Sequence, residues 1–200
     1  MSSTGPDLAG KPLTITERAR RAQFVQVTID LVAEHGYRGA SLARIAEAAE
    51  VSKAAVLYHF PTKDAVLRAA YQTVIDALTT AVGAAVADQS GAAALYAYIR
   101  ALVGHLDARP DHARMIIEAI TADAGITDSP DDEGRRAAVA GLIDAAMAAG
   151  DYRADVDSRG TAVIVNGAID AIVAQRLADP GFDAAGAADT LVNLLDRALR

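Results

Sequence analysis

Apolar residues recur three and four positions apart along almost the whole chain, and no stretch alternates apolar with polar residues over a strand's length. That regularity restricts the chain to packed helices. The composition agrees: Ala dominates, 52 % of residues are hydrophobic and only 4 % are aromatic. Ala is the strongest helix former, and its short side chain favours close helix packing. Asp, Ser, Thr, Gly and Pro fall mainly between the periodic segments, where helices start and stop. The expected fold is all-α, with about nine helices over 16–35, 42–49, 53–59, 63–82, 91–106, 110–124, 132–149, 158–177 and 183–199.

Local chemistry places the ends. Thr14 and Glu17 have the spacing of a capping box. Gly36 suits the left-handed residue that ends a helix, with a short loop expected at 37–40. Ser41, Ser52 and Thr62 each precede an apolar run as N-cap candidates. Pro110 fits a first helical turn, and Asp157 and Asp183 fit caps or first turns. Residues 125–130 read as a loop.

The net charge of −7 is unevenly spread. Residues 1–70 carry nine Lys and Arg against seven Asp and Glu, a surplus of two. The remainder carries ten Arg against nineteen acids, a deficit of nine. Only the front can offer phosphates a favourable surface. The absence of Cys excludes disulfide scaffolds, thiolate metal sites and Cys nucleophiles. The four His show no metal-ligand spacing, and no phosphate loop or nucleophile elbow occurs. No catalytic residue, metal or cofactor is expected, and the chain is not expected to be an enzyme. No stretch reaches the roughly 18 uncharged apolar residues of a membrane span. Residues 1–13 are polar, contain Gly5, Pro6 and Gly10, and are expected as a disordered arm.

Two short helices joined by a tight turn and braced by longer ones suit a reader of the DNA major groove, which is about 12 Å wide. Leu42, Ile45, Val51, Val56 and Phe60 are placed to fix the angle between them. Ser52, Lys53, Ala54, Ala55, Tyr58 and His59 are left for DNA. Arg18, Arg20 and Arg21 form a basic approach on the first helix.

The run from Gly36 to Ala46, with Ser41 at the cap and Ile45-Ala46 in the second helix, leads on to Val51-Ser52-Lys53 and then Tyr58-His59-Phe60-Pro61-Thr62-Lys63. In this order and spacing, residues 16–70 resemble the DNA-binding domain of the tetracycline-repressor-like (TetR) regulators. The resemblance implies that Ser41 and Ser52 cap their helices beside phosphates and that Arg44 faces the DNA backbone. It further implies that Lys53, Ala54 and Ala55 lie against base edges, that Tyr58 and His59 touch base or phosphate, and that Lys63 clamps a phosphate. Leu57 stands where that family usually has Tyr, and Ala54-Ala55 where Gly-Thr or Gly-Ala is common.

The expected organisation is an arm (1–13), a helix-turn-helix domain (14–62) and a helical effector-binding and dimerisation domain (63–200), with helix 63–82 connecting the two. Candidate effector-lining residues are Tyr96, Ile99, Leu102, Met115, Ile116, Ala119, Met147 and Asn166. Candidate dimer-interface residues, on the helices at 132–149 and 158–177, are Leu142, Ile143, Ala146, Val163, Asn166, Gly167, Asp170 and Ala171. A single recognition helix contacts few bases, so a two-fold pair reading a palindrome is expected. The expected function is a cytoplasmic bacterial repressor, a homodimer released from double-stranded operator DNA by a small, mostly apolar effector. The alternative is a helical protein-interaction module whose front is only structural.

Overall fold

In a computed structural model the chain is described over residues 14–121 and 132–200. The expected arm, the loop at 125–130 and the end of the sixth expected helix lie outside the described residues. Within them the chain is helical, in the order α1 (Ile15–Gly39), α2 (Leu42–Ala48), α3 (Lys53–His59), α4 (Lys63–Val86), α5 (Gly91–Ala108), α6 (Pro110–Thr121), α7 (Asp132–Ala148), α8 (Ser158–Ala178) and α9 (Ala184–Leu199).

The caps form as the sequence predicts. The Thr14 hydroxyl accepts from the Glu17 amide at 3.2 Å, and the Glu17 carboxylate accepts from the Thr14 amide at 2.8 Å. Ser41, Ser52 and Thr62 accept from the amides of Arg44, Ala55 and Ala65, starting α2, α3 and α4. Each such bond satisfies one orphan amide and contributes about 1 kcal/mol. α1 breaks at Gly36 (φ 69°, ψ 172°), then adds one further turn where a loop was expected. α4 runs four residues past its expected end.

Two apolar cores form. The front core joins Phe24 and Ile29 of α1, Ile45 of α2, Val56 of α3, Phe60, and Val66 to Val74 of α4. The rear core joins Leu95 and Ile99 of α5, Ile143 of α7, Val165 and Ile169 of α8, and Val192 of α9. α4 belongs to both, because Leu78, Val82 and Val86 pack on the rear core. α6 also belongs to both: Ala113 faces the rear core, Met115 is buried in the front core, and Ile116 touches each.

Polar links brace the rear domain. The Tyr96 hydroxyl donates to Asp196 at 2.5 Å and Arg100 to Asp189 at 2.7 Å, tying α5 to α9. Arg135 donates to the Asn166 side chain at 3.0 Å and to Asp170 at 2.7 Å, tying α7 to α8.

Three expected interface residues face inward. Ile143 and Ala146 are completely buried in their own subunit and Asn166 is 7 % exposed. The rest of the set is half-buried Leu142 and outward-facing Val163, Gly167, Asp170 and Ala171. Ile164, not expected there, is 66 % exposed beside Val163 at 56 %. Among the described residues, α8 is the one helix long and apolar enough to cross a membrane. Its buried face is Ala162, Val165, Ile169 and Val173, so much of its apolar surface is left outside the core.

Candidate nucleic-acid interface

The turn between α2 and α3 sets the geometry of the front surface. Glu50 adopts a left-handed backbone (φ 54°), and the Val51 amide donates to the Ala46 carbonyl at 2.9 Å. Val56 and Phe60, 0 and 2 % exposed, lock α3 onto the front core. With those positions inward, Ser52, Lys53, Ala54, Leu57 and Tyr58 stand outward. Tyr58 is 67 % exposed and Leu57 39 %. Large apolar side chains on an exposed helix face gain by covering another surface. A helix seven residues long with one cation, one hydroxyl and this apolar pair can insert into a major groove and meet thymine methyls as well as phosphates.

The expected DNA-contacting residues divide by exposure. Arg44, Ser52, Lys53, Ala54 and Tyr58 are exposed, whereas Ser41, Ala55, His59 and Lys63 are half-buried. Arg44 donates to the Gly39 carbonyl at 3.0 Å, which holds its guanidinium over the start of α2. His59 packs rather than projects: its ring lies 5.5 Å from Phe24 and 5.0 Å from Tyr58, edge-on to the latter. Burial, aided by the Arg21 charge, holds the His59 pKa below the usual imidazole range. Lys63 donates to the Tyr37 carbonyl at 2.8 Å and lies 4.5 Å from the centre of that ring. Burial lowers the Lys63 pKa. An ammonium has three donors, so two remain for a phosphate.

Arg21 differs in role from its neighbours on α1. Its guanidinium sits 4.1 Å over the Phe60 ring and donates to the His59 carbonyl, bracing the end of α3 from beneath. Arg20 instead pairs with Gln23 at 2.8 Å. Sequence alone treated the three arginines alike. The signal that separates them is helical phase, since Arg21 lies three and four residues before Phe24 and Val25 on the buried side of α1.

Two bonds fasten the front to α6. The Glu118 carboxylate accepts from the Tyr37 amide at 2.7 Å, immediately after the Gly36 break. Arg114 donates to the Ala33 carbonyl at 3.1 Å. Sequence reasoning named neither residue, because a charged position on an amphipathic helix looks solvated until its neighbour is known.

Of the eight expected effector-lining residues, Ile99 and Leu102 are buried in the rear core, and Tyr96, Ile116 and Met147 pack against it. Tyr96 bonds Asp196, and Asn166 bonds Arg135. Ala119 is buried on α6, while Met115 belongs to the front core, because α6 lies along α1. A cavity of about 260 Å³ opens elsewhere, between α5, α6, α8 and the start of α9. Its walls include Val103, Leu106, Pro110, Val173 and Leu177.

Comparison with known proteins fits this geometry. The family model for bacterial regulatory proteins of the tetR family matches residues 24–70. The HTH-type transcriptional regulator RutR of Escherichia coli K12 is 33 % identical over 82 residues. That alignment covers 41 % of this chain and only 39 % of the relative's length. Among solved structures, the fatty acid degradation regulator FadR from Bacillus halodurans superposes with a TM-score of 0.79 at 19 % identity. It covers 95 % of this chain and 99 % of that one. The FadR of Bacillus subtilis, solved in complex with stearoyl-CoA, gives 0.76 at 17 % identity, covering 90 % and 99 %. At such identities the likeness is one of fold. The sequence match to the tetR family of bacterial regulatory proteins thus spans the helix-turn-helix, residues 24–70, and over nearly the whole chain the likeness to these regulators is that of a shared all-helical fold.

Proposed function

We propose that this protein is a cytoplasmic transcriptional repressor that binds a palindromic operator as a homodimer and leaves it when a small, mostly apolar effector enters the rear domain. The observation that carries this reading is the outward face of α3. Val56 and Phe60 anchor the helix, and Ser52, Lys53, Ala54, Leu57 and Tyr58 face outward toward a groove. Arg44 and Lys53, both exposed, supply phosphate contacts, which set register and affinity; for Lys53 this replaces the base-edge role that the resemblance implies. Ala54, Leu57 and Tyr58 supply the apolar and aromatic contacts that read bases.

Pairing through α8 is supported by its unpartnered Val163 and Ile164. A two-fold pair presents two recognition helices to half-sites about 34–36 Å apart. α4 and α6 carry the response, since each is packed into both cores. A shift of either moves the reading head as a rigid body, so ligand and DNA oppose each other through their differential affinities.

Enrichment of duplexes from a random pool tests the reading. At near-physiological salt the full chain is expected to select a palindrome with half-sites one helical turn apart. If no sequence is enriched over bulk DNA, the repressor reading fails and a protein-docking role for the Leu57–Tyr58 face takes its place.

A further inference from the structure

The 260 Å³ cavity between α5, α6 and α8 has a chemistry of its own. Its walls are mostly apolar, and among the described residues its charged groups are Asp107, Arg114 and Arg176. Arg176 donates to Asp107 at 2.5 Å, so these two charges offset each other. Arg114 is left as the surplus cation. Among the described residues its hydrogen bond is to a neutral partner, the Ala33 carbonyl on α1, at 3.1 Å. The cavity therefore joins an apolar volume to a guanidinium whose present partner is an uncharged oxygen of the DNA-binding domain.

We propose that this cavity is the effector site, that its ligand is a small anionic amphiphile, and that the ligand's acidic group takes Arg114 away from Ala33. The inference rests on the reading of the chain as a DNA-binding regulator. A carboxylate is a better partner for a guanidinium than a peptide carbonyl, because charge-assisted hydrogen bonds are roughly twice as strong as neutral ones. Size limits the tail. At about 30 Å³ per water-sized group the cavity holds roughly eight or nine such groups. A carboxylate with a tail of about eight carbons is of that order. Removing the Arg114 bond leaves Glu118 as the remaining tie of the described hydrogen-bond pair between α6 and the end of α1. The front is then freer to change its angle.

Octanoate, octanol and octylammonium, each titrated calorimetrically into the full-length protein without DNA, test the site. Octanoate is expected to bind at least tenfold more tightly than either other probe. Each methylene from hexanoate to octanoate should tighten binding about fourfold. Arg114→Gln, an exposed position, should cost octanoate about tenfold and leave octanol unchanged. Leu177→Trp, which fills the cavity, should abolish binding of all three. Octanoate no tighter than octanol overturns the anionic head group. Octanoate affinity unchanged in Arg114→Gln overturns the location, even if Leu177→Trp does not fold. A second arm uses the duplex enriched by selection. Saturating octanoate should weaken its retention by 5- to 150-fold, a common range for coupled sites, and by less than twofold in Arg114→Gln. Equal weakening in both proteins overturns the Arg114 relay. If no duplex is ever retained, the regulator reading fails, whereas the octanoate titrations still decide the cavity.

Discussion

Gly36 is the residue on which the two halves meet. Its φ of 69° and ψ of 172° lie in a region that only Gly occupies readily. An added Cβ would stand 3.0 Å from the Glu118 carboxylate that holds the Tyr37 amide. Gly36→Ala is expected to cost about 1–3 kcal/mol of stability, read as a lower urea midpoint. A second residue-scale expectation concerns His105 and His112, whose ring nitrogens lie 3.0 Å apart where α5 turns into α6. Arg109 and Asp111 flank them. Burial lowers both pKa values from 6.5, Arg109 lowers them further, and Asp111 opposes. The unfolded chain therefore takes up protons first as pH falls below 6.5. Stability is full above that value and declines below it until the folded rings also titrate. His59 adds to this trend with the same sign. Urea midpoints measured from pH 7.5 to 5 should fall toward acid, and His105→Gln should make the decline shallower. A decline as steep as in the parent protein would remove this pair from the cause.

At the scale of the element, α3 separates two kinds of contact. Lys53→Ala should weaken binding to every DNA sequence and reduce the slope of log K against log salt by about 1. Leu57→Ala should instead weaken binding to the selected operator by about tenfold, the size of one lost base contact, and leave the salt slope unchanged. Filter binding across salt concentrations distinguishes the two. Much of this element was legible in the sequence, since caps, turns and periodicity are local properties. Ser41, Ser52 and Thr62 declare their helices through a side chain reaching an amide three residues on. Outside the front the faces of helices were harder to read. α7 has small or apolar residues all round, so no phase in its pattern shows that Ile143 and Ala146 point inward. α6 shows its phase clearly, but phase does not say which core a face meets. Met115 went to the front core because Arg114 and Glu118 lay α6 along α1. Only long-range packing decides such a question.

At the scale of the whole molecule, the proposed pairing turns on the exposed Val163 and Ile164 of α8. Val163→Asp with Ile164→Asp should leave the fold intact, since both side chains are exposed. Sedimentation should then give a monomer, and operator affinity should fall at least a hundredfold as half the reading surface is lost. A dimer that survives both charges would place the pairing elsewhere. The same outward stripe has a consequence for dosage. When subunits are scarce, paired molecules vary with the square of their number, so halving synthesis leaves roughly a quarter of the operator-competent protein. On the proposed pairing, the threshold at which target genes fall silent is thus written partly into Val163 and Ile164, and expression level alone would shift it, with the ligand and the operator both unchanged.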